Sequence, residues 1–151
     1  MASRYLMLEL DRQLCFPIYA TARAVVRAYG PLLDSVGLTY PQYLTLLALW
    51  GSPDGPMTVG ELGQRLRLDT GTLTPLLKRL EVAELVRRTR STEDERQVLI
   101  ALTPKGDALR EKARAVPQSI LAASACSVGE LMAMKNEIVA LRDRLNAVLG
   151  E

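Results

Sequence analysis

Three times in this sequence a hydroxyl residue is followed three places later by Glu or Gln, at the edge of an apolar run. These are Thr39-Tyr40-Pro41-Gln42, Thr58-Val59-Gly60-Glu61 and Ser127-Val128-Gly129-Glu130. In such a box the hydroxyl accepts the N–H of the third helical residue, and the Glu or Gln side chain accepts the N–H of the cap, so each box fixes where a helix begins. Asp69 or Thr70 supplies a fourth start by single-residue capping. Thr103-Pro104 supplies a fifth, with threonine as cap and proline in the first turn. A chain of 151 residues with this many fixed starts is mainly α-helical. One region breaks the pattern. Leu85-Val86-Arg87-Arg88-Thr89-Arg90 and Val98-Leu99-Ile100-Ala101-Leu102 read as strands around the wholly polar stretch 91–97, which predicts a small β-hairpin with a long charged tip.

The stretch 5–30 reads as a helix with one interruption. Leu6, Leu10 and Leu14 are spaced by four, and Ile18, Ala22, Val25 and Val26 continue the apolar face. Pro17 has no N–H to give, so the helix either kinks there or begins there. Gly30-Pro31 is expected to end it. A loop over 51–56 separates the second helix from a short third that runs to Arg67. The next helix extends to about Glu81, with Leu73, Leu76, Leu77 and Leu80 inward. The section after Pro104 is expected to break near Pro117. Beyond it Leu131, Met134, Ile138, Leu141, Leu145 and Val148 are spaced alternately by three and four. Such a stripe is a packing seam. Together with the first helix it is read as a dimer-forming element; spacing alone also fits an ordinary internal core face.

Composition bounds the chemistry. The length suits one domain with its own core. Hydrophobic residues make up 48% and aromatic residues 5%, as in a folded helical protein. No apolar run approaches the roughly 20 residues of a membrane span. Arg4, Glu9, Asp11 and Arg12 interrupt the N-terminal apolar residues, unlike a signal peptide, so a cytoplasmic location is expected. Histidine is absent, which excludes His-ligated metal sites, Ser/His/Asp triads and histidine bases. Cys15 and Cys126 form no Cys-x-x-Cys pair, so neither a zinc site nor a thioredoxin-like motif is supported. In a reducing compartment lone cysteines are either inert core residues or redox sensors. Neither a cofactor nor a metal is expected.

Two short capped helices followed by a charged hairpin form a winged helix-turn-helix pattern, here over about residues 40–103. Its second helix fits the DNA major groove, where base edges carry a distinguishable code. That helix opens with Thr70, Gly71, Thr72 and Thr74, small enough for close approach to bases and phosphates, while Lys78 and Arg79 reach the backbone. Between Arg65 and Arg90 seven basic residues face three acids, a local excess of four positive charges that can neutralise phosphates. A charge cluster alone is more commonly a solvated helix face. At the hairpin tip Arg96 suits the negative potential of a minor groove, and Asp94 is expected to orient its guanidinium. An Asp-x-Arg taken alone is more often an ordinary surface ion pair.

These residues carry a resemblance. Asp94-Glu95-Arg96 with Leu102-Thr103-Pro104-Lys105-Gly106 resembles the wing and exit of the MarR family of bacterial regulators. The segment from Leu68 to Glu81, with Leu14-Cys15-Phe16 and Gly37-Leu38-Thr39-Tyr40-Pro41-Gln42-Tyr43, resembles its OhrR branch, the repressors that sense organic hydroperoxides. Glu84 departs from the pattern, since glycine is common there and eases a turn of positive φ.

The resemblance implies a single MarR-type domain over 1–151, dimerised by helices at about 5–30 and 104–149. The homodimer would bind a pseudo-palindromic duplex operator when reduced and be released on oxidation by an organic hydroperoxide. It implies that Cys15 is the peroxidatic thiol, that Tyr29 and Tyr40 of the partner subunit hydrogen-bond to it, and that Cys126 of the partner resolves the sulfenic acid as a disulfide. Tyr19, one turn beyond Cys15, is a further candidate for the pocket. Read without the resemblance, Cys15 is a small buried hydrophobe, the tyrosines pack at helix ends, and Cys126 is a surface or packing residue. Two other functions share parts of the pattern: a MarR-type regulator released by a small aromatic ligand, and a thiol peroxidase. The winged-helix pattern disfavours an enzyme.

Overall fold

The computed structural model describes residues 6–150. The expected helix start at residue 5 therefore lies outside the described residues. Single 3-10 turns occupy Leu6–Leu8 and Leu10–Arg12, and α1 begins only at Cys15, running Cys15–Asp34. Of the two readings of Pro17, the second is the observed one: proline sits in the first turn, where its missing N–H costs no helical bond. The expected end at Gly30-Pro31 is not observed. Pro31 lies inside α1, itself exposed, and forgoes one backbone bond there. The stop is Gly37, at φ +70°. Leu38 N–H donates to the Leu33 carbonyl at 3.1 Å and Gly37 N–H to that of Asp34 at 3.2 Å. This is a Schellman closure, with Leu33 and Leu38 both buried beside it.

The other starts lie where the sequence places them. α2 spans Tyr40–Trp50, α3 spans Val59–Leu66 and α4 spans Thr70–Val82, with Asp69 as the cap of α4. The turn between α3 and α4 is tight because Arg67 takes a left-handed conformation, φ 56°, and Leu68 N–H reaches back to the Gly63 carbonyl. Gly63 is required for that approach, since a Cβ there would stand 2.9 Å from the Leu68 carbonyl oxygen.

β2 (Val86–Arg90) and β3 (Val98–Leu102) pair antiparallel, from Val86 with Leu102 to Arg90 with Val98. A third strand, β1 (Met57–Thr58), was not expected. It pairs with the other edge of β3, giving the order β1-β3-β2. Two residues carry no periodicity, and the second of them is the cap of α3.

α5 (Pro104–Ala113) follows β3, with Thr103 Oγ1 accepting the Gly106 N–H at 3.0 Å. Gly106 is tied to both neighbours of α5. Its carbonyl accepts from Trp50 Nε1 at 3.1 Å, and a Cβ at Gly106 would overlap the Leu85 carbonyl. The core of this part consists largely of leucines: Leu33, Leu46, Leu62, Leu73, Leu77 and Leu80 are all essentially inaccessible, as is Ile100. Each such side chain contributes about 1.5–3 kcal/mol of burial.

The chain forms two compact units, one through Arg114 and the other from Ala115. The second holds α6 (Ala115–Ser124), with Pro117 in its first turn, and α7 (Val128–Leu149) behind the Ser127 cap. α7 has no buried residue, and its apolar stripe is exposed or half-buried along its length: Ile138 is 51% and Val148 85% exposed. Among the described residues no helix is long and apolar enough to cross a membrane.

Candidate DNA interface and thiol site

α4, the expected recognition helix, is held by its own first turn. Asp69 accepts from the Thr72 backbone N–H at 2.9 Å and from its hydroxyl at 2.8 Å. These bonds, the hydroxyl's first, hold the Asp69 carboxyl below the ordinary aspartate range. At Glu61 and Glu130 the backbone N–H of Thr58 and of Ser127, followed by their hydroxyls, lowers the carboxyl. A lowered carboxyl stabilises the fold above its ordinary range, and that contribution is lost as pH falls through the lowered value. Thr72 is thereby committed to the cap. Thr70 and Thr74 are exposed and carry no side-chain partner among the described residues, as are Lys78 and Arg79. The opposite face buries Leu73, Leu76, Leu77 and Leu80. Four of the five expected α4 contacts therefore face outward unencumbered.

The wing differs from expectation in one respect. Asp94 does not grip the Arg96 guanidinium. Its Oδ1 accepts the Arg96 backbone N–H at 3.0 Å. An aspartate two residues before an N–H closes a local turn at lower cost than it fixes a long, solvated guanidinium. Arg96 is exposed, and its side chain is unpaired among the described residues. At the base of the wing, Glu84 adopts φ +61° at the end of α4, where Leu85 N–H donates to the Leu80 carbonyl. Thr103 Oγ1 donates to the Glu84 carbonyl at 2.6 Å, and Lys105 Nζ to that of Ala83 at 2.9 Å. Lys105 also lies 3.3 Å from the Glu84 carboxylate.

Cys15 is the first residue of α1, free and exposed. No side chain caps this helix, and Cys15 lies in its first turn. Leu14, Phe16 and Ile18, its neighbours in sequence, are exposed apolar residues. Tyr19 is turned to its own helix: its hydroxyl accepts from Arg23 at 3.3 Å, and that guanidinium lies 5.6 Å from its ring centroid. Tyr29 and Tyr40 meet at the junction of α1 and α2 with ring centroids 4.9 Å apart. Neither hydroxyl has a partner among the described residues. Burial raises both phenols above their ordinary value, and at Tyr29 the neighbouring Tyr40 adds to the rise, so both remain donors at neutral pH. Cys126 follows Ala125, itself at φ 53°, and is free and half-buried; its thiol donates to the Ser124 carbonyl at 3.3 Å.

Known proteins place this geometry. A family model described as transcriptional regulator SarA/Rot matches residues 27–113. The organic hydroperoxide resistance transcriptional regulator of Bacillus subtilis is 45% identical over 146 residues, 97% of this chain and 98% of its own. AbfR of Staphylococcus epidermidis, solved reduced and bound to DNA, superposes with a TM-score of 0.77 at 35% identity, covering 96% of this chain and 98% of that one. AbfR has also been solved in a disulfide form, which superposes at 0.62 with 36% identity over 91% of this chain and 96% of that one. A Mycobacterium tuberculosis regulator, MOSR, in complex with DNA gives 0.78 at 30% identity, over 90% and 98%.

The chain belongs to the MarR family of transcriptional regulators. Within the family it falls in the OhrR-like branch, and its relatives are regulators rather than enzymes. In this MarR-family chain α2, α3, α4 and the β2–β3 hairpin follow one another in the order of a winged helix-turn-helix. Among the described residues no group of three or more Asp, Glu or Cys could hold a metal ion. Sequence reasoning missed Tyr43. It is 2% exposed, its ring centroid lies 5.8 Å from that of Tyr29, and it completes a three-tyrosine cluster with Tyr29 and Tyr40. Its place one turn into α2, behind Tyr40, was the available signal.

Proposed function

We propose that this protein is a cytoplasmic, homodimeric repressor that holds operator DNA when reduced and releases it when an organic hydroperoxide oxidises Cys15. The observation that carries the reading is one chain that joins an unencumbered recognition helix to a free, exposed thiol at the start of α1. The 45% identity to a hydroperoxide resistance regulator supports the same conclusion.

Each step follows from chemistry at named atoms. α4 enters the major groove with Thr70 and Thr74 toward the bases, while Lys78 and Arg79 neutralise phosphates. Arg96 enters the adjacent minor groove. Two copies of α4 read a pseudo-palindrome when α1 and the helices beyond Pro104 pair the subunits; the exposed stripe of α7 supports that pairing. On the sensing side, the Cys15 thiolate attacks the terminal oxygen of the hydroperoxide. The O–O bond breaks, the terminal hydroxyl passes to Cys15 as a sulfenic acid, and the alkoxide leaves as the alcohol after taking a proton from water. Leu14, Phe16 and Ile18 offer the organic group an apolar surface. The unpartnered hydroxyls of Tyr29 and Tyr40 are donors suited to the partner's thiolate. Cys126 of the partner then attacks the sulfenic sulfur, a disulfide forms and water leaves. Tethering the two chains respaces their recognition helices, and half-site geometry tolerates little change.

Non-reducing electrophoresis tests the resolving step. Treated with cumene hydroperoxide, the wild type is expected to run as a covalent dimer, and both Cys15→Ser and Cys126→Ser as monomers. A monomeric wild type that still releases DNA would refute the disulfide.

A further inference from the structure

We propose that Ser91 is the positioning residue of the wing: its buried hydroxyl orders the tip so that Arg96 meets the minor groove already oriented. This rests on reading the wing as a DNA contact.

Among the described residues Thr45 and Ser91 are the only serine or threonine side chains that are buried. Thr45 is explained within its own helix, where its hydroxyl donates to the Pro41 carbonyl at 2.9 Å. Ser91 lies outside any helix, at the exit of β2, and residues 92–97 beyond it are all exposed. A buried hydroxyl at the root of an exposed tip has work to do there. Its Oγ accepts the backbone N–H of Glu93 at 3.2 Å and that of Asp94 at 3.3 Å. Asp94, so placed, passes the order on. Its side chain accepts the Arg96 N–H at 3.0 Å, and its carbonyl accepts the Gln97 N–H at 2.9 Å. Ser91 closes the loop itself, its N–H donating to the Gln97 carbonyl at 2.9 Å.

The tip has no strand ladder of its own, so these bonds set its shape. Hydroxyl, Asp94 and the Arg96 backbone form one relay, and Arg96 is the only basic residue in the tip. An ordered tip spares the complex the entropy of fixing it on DNA. Ser91 carries no charge and makes no phosphate contact in this scheme, so it acts wholly through Arg96.

A double-mutant cycle on operator affinity separates that role from a general one. The probe is a duplex selected by the wild-type dimer from a random-sequence pool. Ser91→Ala is expected to weaken binding about three- to tenfold, the worth of one to two hydrogen bonds. The slope of affinity against salt should not change, because no phosphate contact is lost. In an Arg96→Ala background the same change should cost less than about twofold. Equal losses in both backgrounds, or a shallower salt slope in Ser91→Ala alone, would overturn the assignment. If Arg96→Ala binds as tightly as wild type, the wing is no DNA contact, and that outcome overturns the reading beneath the inference as well.

Discussion

Glu84 shows how a single residue departs from its family pattern and is held there. A left-handed conformation costs a side chain with a Cβ roughly 1–2 kcal/mol, and here Thr103 and Lys105 bond to the carbonyls on either side of the turn. Glycine would relieve that cost but gives more freedom to the unfolded chain. Its exposed ion pair with Lys105 adds little. Glu84→Gly is therefore expected to be between neutral and about 1 kcal/mol more stable, read as a raised urea midpoint with unchanged slope; a clear loss of stability would mean that the carboxylate does more than pair with Lys105. At this scale, signals contained within four residues were legible: the Thr39, Thr58, Asp69, Thr103 and Ser127 caps all stand where the sequence puts them. Gly37 was overlooked as the true stop of α1 because its role depends on Leu33 and Leu38 packing together. Tyr43 escaped notice because its neighbour, Tyr29, comes from another helix. Asp94 was assigned to the wrong donor because side-chain charges suggested an ion pair where backbone geometry offered a shorter route.

Among the elements, α7 shows most clearly what a single chain leaves unsatisfied. Its 22 residues include none that is buried, although Leu131, Met134, Ile138, Leu141, Leu145 and Val148 repeat at helical spacing. Spacing alone left open whether the stripe faces its own core or another chain, and the exposure favours another chain. Ile138→Glu is accordingly expected to spare the fold of the subunit and break the pairing: the mass by sedimentation should halve at micromolar concentration, and operator affinity should fall more than tenfold. An intact dimer would place the interface elsewhere. The hairpin was legible from its alternating strands. β1 was not, since a two-residue strand has no period and gains its place only from the β3 edge it meets.

At the scale of the whole molecule, two chemistries share one chain of 151 residues. The proposed DNA surface is α4, whose cap consumes Thr72 and leaves Thr70 and Thr74 without side-chain partners among the described residues. The proposed sensor combines an exposed thiol on one helix end with a tyrosine cluster in which the Tyr29 and Tyr40 hydroxyls have no partner among the described residues. Neither half explains the other unless a second subunit connects them, which is why the dimer is part of the mechanism. The winged helix was readable from local patterns; the roles of Cys15 and Cys126 came from family resemblance, because a cysteine's neighbours across a subunit boundary leave no periodic trace in sequence. In the proposed mechanism, oxidation of Cys15 releases DNA. It is tested most directly by fluorescence anisotropy of the selected duplex, titrated with reduced and cumene hydroperoxide-treated protein, for wild type and Cys15→Ser. The two reduced proteins are expected to bind with equal affinity, oxidised wild type at least tenfold more weakly, and treated Cys15→Ser without loss. A treated Cys15→Ser protein that releases DNA as the wild type does would contradict it.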